Sequence, residues 1–399
     1  MRKLNSSHFT PLMRIGILLT LSILTVHFCH GFIDTLVWLV AAIMTYGITV
    51  VTKGELRQSL LLHLCLFTSG ALLASHQMDT QQEVIQTMDK EDLSSLDKAL
   101  LTAQDFRQQI QRKMSSLHGE EQDLAIISAM TLGDKSSLSQ ETKDIYSISG
   151  ASHVLAVSGL HIGIIFQFFI LLMGGRRRNP IVIFLSLIAI WSYVSFIGLP
   201  PSAVRSATLI TICSFALLAN KEPLSLNNLS LAYVIMLIIH PSYLFDISFQ
   251  MSFMAVFSIL LFLPTQKSNW LVSIFRMSVA AQIGTIPLII YYFGRLSCYS
   301  LLTSFIAIPA ATLILYLSAF ACLSGILSTL PLASILFTPL LHLSSNCLVS
   351  ITQACNTALK LITMLPGASI DGIKINIPQL CLVYVSIAVG YTLWKKYHS

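Results

Sequence analysis

Residues 150–163, GASHVLAVSGLHIG, set two histidines, two serines and three glycines at the head of an apolar run. Ser158 lies three residues before His161, neighbouring positions on a helix. A serine beside a histidine is the pair from which a nucleophile and its base are built. No third orienting group or oxyanion donor can be named for it. His153 lies eight residues before His161; on one helix the two would be about 12 Å apart along the axis and about 80° apart around it. Three uses fit these residue types. The glycines Gly159 and Gly163 could mediate helix packing, with the polar groups bonding neighbouring helices. Ser158 could be a nucleophile, or the polar groups could line a translocation path completed by other spans. Facing lipid they would be costly, so they are expected to face a bundle interior.

Other stretches offer the complementary groups. In GLPPSAVR, residues 198–205, Arg205 follows a rigid turn at the start of an apolar run; it either snorkels to the membrane interface or meets a partner inside. HPSYLFDISFQMSF, residues 240–253, sets Asp246 and Gln250 one turn apart on one face. That carboxylate is a candidate partner for Arg205; the alternative is an ordinary interhelix hydrogen-bond pair. Gln282 precedes a mid-span Pro287, and Tyr291, Tyr292 and Phe293 lead to Arg295 in a basic, aromatic-rich mouth. HFCH at 27–30 groups metal-ligand types, but without a second ligand group it reads as a membrane-interface end, and no metal is expected. No G-x-x-x-x-G-K-[ST] phosphate loop occurs, so no cofactor is expected and energy must come from elsewhere.

The elements that position these groups are transmembrane helices. The 399 residues are 54% hydrophobic and 11% charged, against about 25% charged in soluble domains. Successive apolar runs are long enough to cross about 30 Å of hydrocarbon. Backbone groups in lipid must pair internally, so the runs are helices. The fold class is all-α: a polytopic membrane protein of roughly ten transmembrane helices. After the first three runs, others are expected near 181–197, 203–219, 228–240, 243–263, 271–291, 300–326, 333–364 and 378–394. Pro241, Pro264, Pro287 and Pro309 bound or interrupt them. The eight cysteines avoid residues 76–150, which argues against an extracellular disulfide framework. No small-residue cleavage pattern follows Arg2, Lys3 and Arg14, so the first helix is expected to be retained.

Charge divides the chain into residues 1–75, 76–150 and 151–399. The middle segment holds thirteen of the eighteen acidic residues against seven basic ones, a net of −6. Basic residues mark the cytoplasmic side. Arg14 lies inside, Lys53 and Arg57 lie inside after two crossings, and a third span at 60–75 delivers the acidic segment outside. The run from His153 then crosses inward to Arg176, Arg177 and Arg178, so the two counts agree. Leu96, Ala99, Ala103, Phe106, Ile110 and Leu117 form an apolar stripe of an external amphipathic helix, with Ser94 and Asp97 as its capping box. Ser137 with Gln140 is a second helix start, leading to Gly150.

The strings GASHVLAVSGLHIG, GLPPSAVR, HPSYLFDISFQMSFMAV and AAQIGTIPLIIYYFGRLSCYSLLTSFIAIP, preceded by LGDKSSLS, occur in an order that resembles the competence-type DNA-uptake channel family, ComEC. The resemblance covers about 120–320 and implies an inner-membrane channel that carries single-stranded DNA inward during natural transformation. It implies functional positions at His153, Ser158, Gly159, His161, Arg205, Phe249, Gln250 and Arg295. Asp246 and Gln282 join them from the residue reading, as pathway or gating groups rather than catalytic ones.

Two departures temper the transfer. Fuller members resemble a three-part plan with an external OB-type domain and a metallo-β-lactamase-like nuclease. Residues 75–94 leave no room for five OB strands, and no H-x-H-x-D-H cluster occurs. The nuclease is expected to be absent or supplied by another protein, and the chain itself not to be an enzyme. The implied partners are membrane lipid, a DNA-receptor protein outside, an ATPase or single-strand-binding protein inside, and further copies in a homo-oligomer. The acidic segment would repel DNA, which suits delivery by a partner. The alternatives are a transporter of another anionic or lipid-linked solute and an intramembrane serine hydrolase using Ser158 and His161.

Overall fold

The computed structural model describes residues 11–29, 33–52, 55–87, 121–155, 157–175, 178–222, 225–262, 269–328 and 334–398. Among them are fourteen α-helices, one 3-10 turn and one two-stranded ribbon, so the chain is all-α as its composition implies. Four helices carry stretches long and apolar enough to cross a membrane: Pro11–Cys29, Arg57–Asp79, Pro201–Leu218 and Ser300–Gly325. Six shorter apolar helices accompany them. The amphipathic helix expected over 96–117, with its start at Ser94 and Asp97, lies outside the described residues.

The helices divide between two compact units. The first contains α1 (Pro11–Cys29), α2 (Thr35–Val51) and α3 (Glu55–Thr87), and later the helix Leu226–Ile239 with the 3-10 turn Pro241–Phe245. Its helices are joined by polar contacts between apolar faces. Thr45 and Thr68 hydroxyls meet at 3.0 Å between α2 and α3. Thr35 bonds Ser75 and the Asp79 carboxylate. Thr20 of α1 meets the Tyr233 hydroxyl at 2.9 Å. α3 is longer than its apolar run because its polar end continues the helix beyond residue 75.

The second unit holds α4 (Glu121–Leu132), α5 (Gln140–Ser149), α6 (Gly159–Leu172) and α7 (Pro180–Phe196). α8 (Pro201–Leu218) contributes its first turns, α9 is the Leu226–Ile239 helix of the first unit, and α10 (Ile247–Phe262) contributes its second half. α11 (Trp270–Phe293), α12 (Ser300–Leu327), α13 (Ser334–Thr363) and α14 (Ile377–His398) complete it. α4 is buried all round, through Ile126, Ile127, Ala129 and Met130, as an evenly apolar helix must be. It packs with Tyr146 of α5, Ala307, Ala311 and Ile314 of α12, and Leu348, Leu359 and Ile362 of α13. The end of the acidic segment is thus core to the second unit. Strands β1 (Arg295–Ser297) and β2 (Ser369–Asp371) pair antiparallel, Arg295 opposite Asp371.

Two helix starts differ from their expected places. α5 begins after Ser139, whose hydroxyl accepts the Thr142 N–H at 3.1 Å, rather than at Ser137. Residues 151–155 form turns, and α6 begins only at Gly159, so His153 does not share a helix with His161. The expected 12 Å offset therefore does not apply. Pro287 and Pro309 sit inside α11 and α12, and Pro339 inside α13, without ending them.

Gly150 closes α5 in the left-handed region at φ +85°. A Cβ there would lie 2.9 Å from both Ser297 Oγ and Ser300 Cβ. Gly150→Ala should therefore combine left-handed strain with overlap, costing about 2 kcal/mol, read as a lower unfolding midpoint of the detergent-solubilised protein.

Candidate functional site

The polar centre of the second unit is built where the starts of α6 and α8 meet. α6 must begin where backbone N–H groups lose their intrahelical acceptors, and Ser158 with His161 supplies the remedy. The Ser158 backbone N–H donates to His161 Nδ1 at 3.3 Å, which makes that nitrogen an acceptor. The Ser158 hydroxyl, 3.0 Å from the same nitrogen, is then its second donor, and the ring proton resides on Nε2. The arrangement is a capping box with histidine in the third helical position. His161 is wholly buried, and Nε2 has no hydrogen-bond partner among the described residues. A hydrolytic histidine is oriented through its second nitrogen by a carboxylate. This one instead uses its acceptor nitrogen to hold a helix start.

α8 arrives through a constrained turn. Leu199 takes φ +53°, uncommon for a side chain other than glycine, and Pro201 occupies the first helical position, which its fixed φ suits. From this first turn Ser202 donates to the Val157 carbonyl at 2.7 Å. One turn later Ser206 bonds the Ser202 carbonyl at 2.9 Å. The Ser206 hydroxyl stands 2.6 Å from where a Cβ on Gly159 would be. Only glycine allows this approach, so the first turns of α6 and α8 lie against each other. Arg205 is 3% exposed. It precedes Ser206 in the second turn of α8, near the helix end where a cation opposes the macrodipole. From Ile145 to Lys221 the sequence contains no Asp or Glu, but five Lys and Arg.

His153 is exposed in the turn before α6, and Gly163 faces open space. Asp246 belongs to the first unit and Arg205 to the second. Asp246 accepts the Phe249 N–H at 2.7 Å and caps α10. Gln250 donates to the Leu244 carbonyl at 2.9 Å. Between them Phe249 is buried against Tyr233 and Phe253, with ring centroids at 5.5 and 4.5 Å. Gln282 is half-buried on α11. Arg295 bonds Asp371 at 2.5 Å and the Ser147 hydroxyl at 3.0 Å, tying β1, β2 and α5 together. Its charge serves that clasp. Phe293, two residues before, is 62% exposed. The His27 ring packs on Phe245 at 4.3 Å.

Ser202 and Ser206 escaped the sequence reading, as did Asp123, which is 3% exposed and accepts from the Gln353 amide at 2.8 Å. An i, i+4 serine pair was the available signal for the first two. Asp123 was hidden by its place in an acidic segment that reads as solvated. Nearby, burial first and the neighbouring Cys355 second push the Tyr146 phenol upward, so it stays neutral.

A family model described as competence protein matches residues 130–397. The chain belongs to the competence protein family. Its match runs from the end of α4 to α14 and contains the α6–α8 junction. Over 191 residues the chain is 31% identical to ComE operon protein 3 of Bacillus subtilis (strain 168), covering 47% of this chain and 24% of that one. A protein of Aquifex aeolicus (strain VF5) is 29% identical over 202 residues, 50% of this chain and 46% of its own. Recombination protein 2 of Haemophilus influenzae is 23% identical over 214 residues, 48% and 27%. The chain thus spans about a quarter to a half of the curated relatives it matches. No solved structure matches. For this competence-family chain the α6–α8 junction separates capping from charge. Ser158→Asp should keep α6 within about 1 kcal/mol of its stability, because aspartate is an equally good cap. If the junction serves an anion, the same change should lower DNA uptake at least about tenfold, with membrane abundance measured in parallel.

Proposed function

We propose that this chain is a multi-pass channel of the cytoplasmic (inner) membrane that passes single-stranded DNA inward during natural transformation. The observation that carries the reading is the meeting of the α6 and α8 starts beside buried Arg205, in a stretch without a carboxylate. Each helix N-terminus carries about half a positive charge. One buried guanidinium adds a cationic side chain to the two helix starts at low dielectric, where such charges act strongly. Single-stranded DNA brings one negative charge per nucleotide, and its bases stack on aromatic rings. Phe293, exposed beside Tyr291 and Tyr292, offers such a surface. The names of the relatives, one from a competence operon and one a recombination protein, support a nucleic-acid role.

The role implies partners. A receptor protein outside delivers the strand past the acidic segment. An ATPase or a single-strand-binding protein inside supplies direction. A separate nuclease removes the second strand, and copies of the chain assemble around the path. The 3.0 Å Ser158–His161 bond favours a serine hydrolase as second reading, weakened by the capping role of the ring.

Deleting the gene should reduce transformation and cytoplasmic uptake of labelled DNA at least about a hundredfold. Complementation with Arg205→Gln should recover less than about a tenth of wild-type uptake, a barrier rise of about 1.4 kcal/mol or more, and Arg205→Lys should recover more. Normal uptake in the deletion strain would overturn the channel. A fluorophosphonate adduct on Ser158, lost in His161→Ala, would favour the hydrolase.

A further inference from the structure

α13 carries a pattern that the preceding site does not use. Thr338, His342, Asn346, Ser350, Gln353 and Thr357 follow one another at three- or four-residue steps and run on to Lys360. Every one of them is exposed. At 3.6 residues per turn they fall within an arc of about 120° and extend about 33 Å along the axis. The opposite face, with Leu348, Thr352, Cys355, Leu359 and Ile362, is buried in the unit, and Val349 is a buried apolar residue within the stripe's own arc. A third, narrow flank with Leu343 and Leu361 is exposed and apolar. The helix therefore has a packed face, a lipid-compatible flank and a polar stripe.

α13 is not itself among the helices apolar enough to span, and two observations support a membrane depth for its stripe. α13 packs along α12, whose Ser300–Gly325 stretch is long and apolar enough to span. Only residues 328–333 join the two helices, so they run antiparallel over the same depth. The stripe's length also matches the roughly 30 Å of hydrocarbon. Hydroxyl and amide groups at that depth face protein or water rather than lipid.

The composition of the stripe selects what passes. Its ionisable groups are a histidine and a lysine, and it contains no carboxylate. Among the described residues two acidic side chains reach it: Asp123 accepts from Gln353 at 2.8 Å from the buried side, and Glu141 meets Lys360, at the end, at 3.2 Å. A wall of mostly neutral hydrogen-bonding groups, with its lysine held by Glu141, fits a hydrated strand.

We infer that this face of α13 lines the aqueous path through which single-stranded DNA moves, making neutral hydrogen bonds to its phosphates and bases. The inference rests on the channel reading and names a wall of that path. Two measurements on the full-length chain test it. The first uses Cys347→Ala, to remove a neighbouring exposed thiol, with Ser350→Cys or Leu361→Cys. In proteoliposomes Ser350→Cys should react with a charged, membrane-impermeant methanethiosulfonate at least about ten times faster than Leu361→Cys. Equal or absent reaction overturns the aqueous wall, and disulfide cross-linking between copies through Ser350→Cys overturns it in favour of an interface between copies. The second compares sign in transformation. Ser350→Asp should lower cytoplasmic DNA uptake at least about tenfold, and Ser350→Lys less than about threefold, at equal membrane abundance. Equal effects of both signs would sink the strand as occupant. Labelling of Ser350→Cys without any uptake defect in the deletion strain would end the channel reading while leaving a water-facing wall.

Discussion

A polar group at the depth of the hydrocarbon can bond only to protein or to water that the protein encloses, and the arrangement of this chain follows from that constraint. Most hydroxyls in its helices answer it locally. Thr45, Thr131, Thr285, Ser304, Thr312 and Ser318 each donate to the carbonyl four residues back. Others join helices, as Tyr193 does by donating to the Thr131 carbonyl at 2.6 Å and Tyr384 to the Gly284 carbonyl at 2.8 Å. The prolines inside α11, α12 and α13 each remove a helical donor, which packed helices tolerate because neighbouring groups take over the freed carbonyls. His161, Arg205 and the stripe on α13 are polar groups of other kinds. His161 Nε2–H and the Arg205 guanidinium are donors placed where solvation is costly, and the stripe is a row of polar groups aimed away from the packed core.

The acidic residues obey the same rule from the opposite side. Asp123 is held by Gln353, Glu141 by Lys360 and Asp371 by Arg295. Two of these carboxylates come from the segment whose net charge would repel DNA. Their partners come from α13, which binds the end of that segment to the second unit and turns part of its charge inward. Arg295 was expected to offer its charge at a mouth. The ion pair with Asp371 commits it to the clasp instead, and leaves the exposed ring of Phe293 as the feature a nucleic acid would meet there.

Most helices were legible in the sequence because apolar run length is a strong signal and lipid admits few alternatives. Runs expected at 181–197, 300–326 and 333–364 appear as Pro180–Phe196, Ser300–Leu327 and Ser334–Thr363. The errors arose where a local backbone choice overrode composition. His153 lies in an apolar run, yet the chain turns through residues 151–155 and the helix waits for the Ser158–His161 cap. Ser137 and Ser139 are equally good caps by type, and only the Thr142 N–H bond selects Ser139. The close fit of Gly159 to Ser206 joins residues 47 positions apart, which no local spacing encodes. The α13 stripe was readable in principle, but its many Leu, Ile and Val residues made the segment look uniformly apolar.

Conduction limits how positive the proposed path can be. A binding step strong enough to draw in a polyanion must also release it, so selective pores balance entry against exit. A row of buried arginines would hold a phosphate chain at every turn, each contact adding a charge-assisted bond worth more than a neutral one. The second unit concentrates its buried positive character at one junction, through two helix starts and Arg205. It spreads neutral hydroxyls and amides along α13. Neutral hydrogen bonds contribute little net free energy each, because water offers the same bonds on both sides of the exchange. A strand can therefore trade one set for the next at low cost while the single charged junction discriminates for phosphate. On this reasoning the run from Ile145 to Lys221, which contains no Asp or Glu, brings no acid of its own to the junction that the helix starts and Arg205 form.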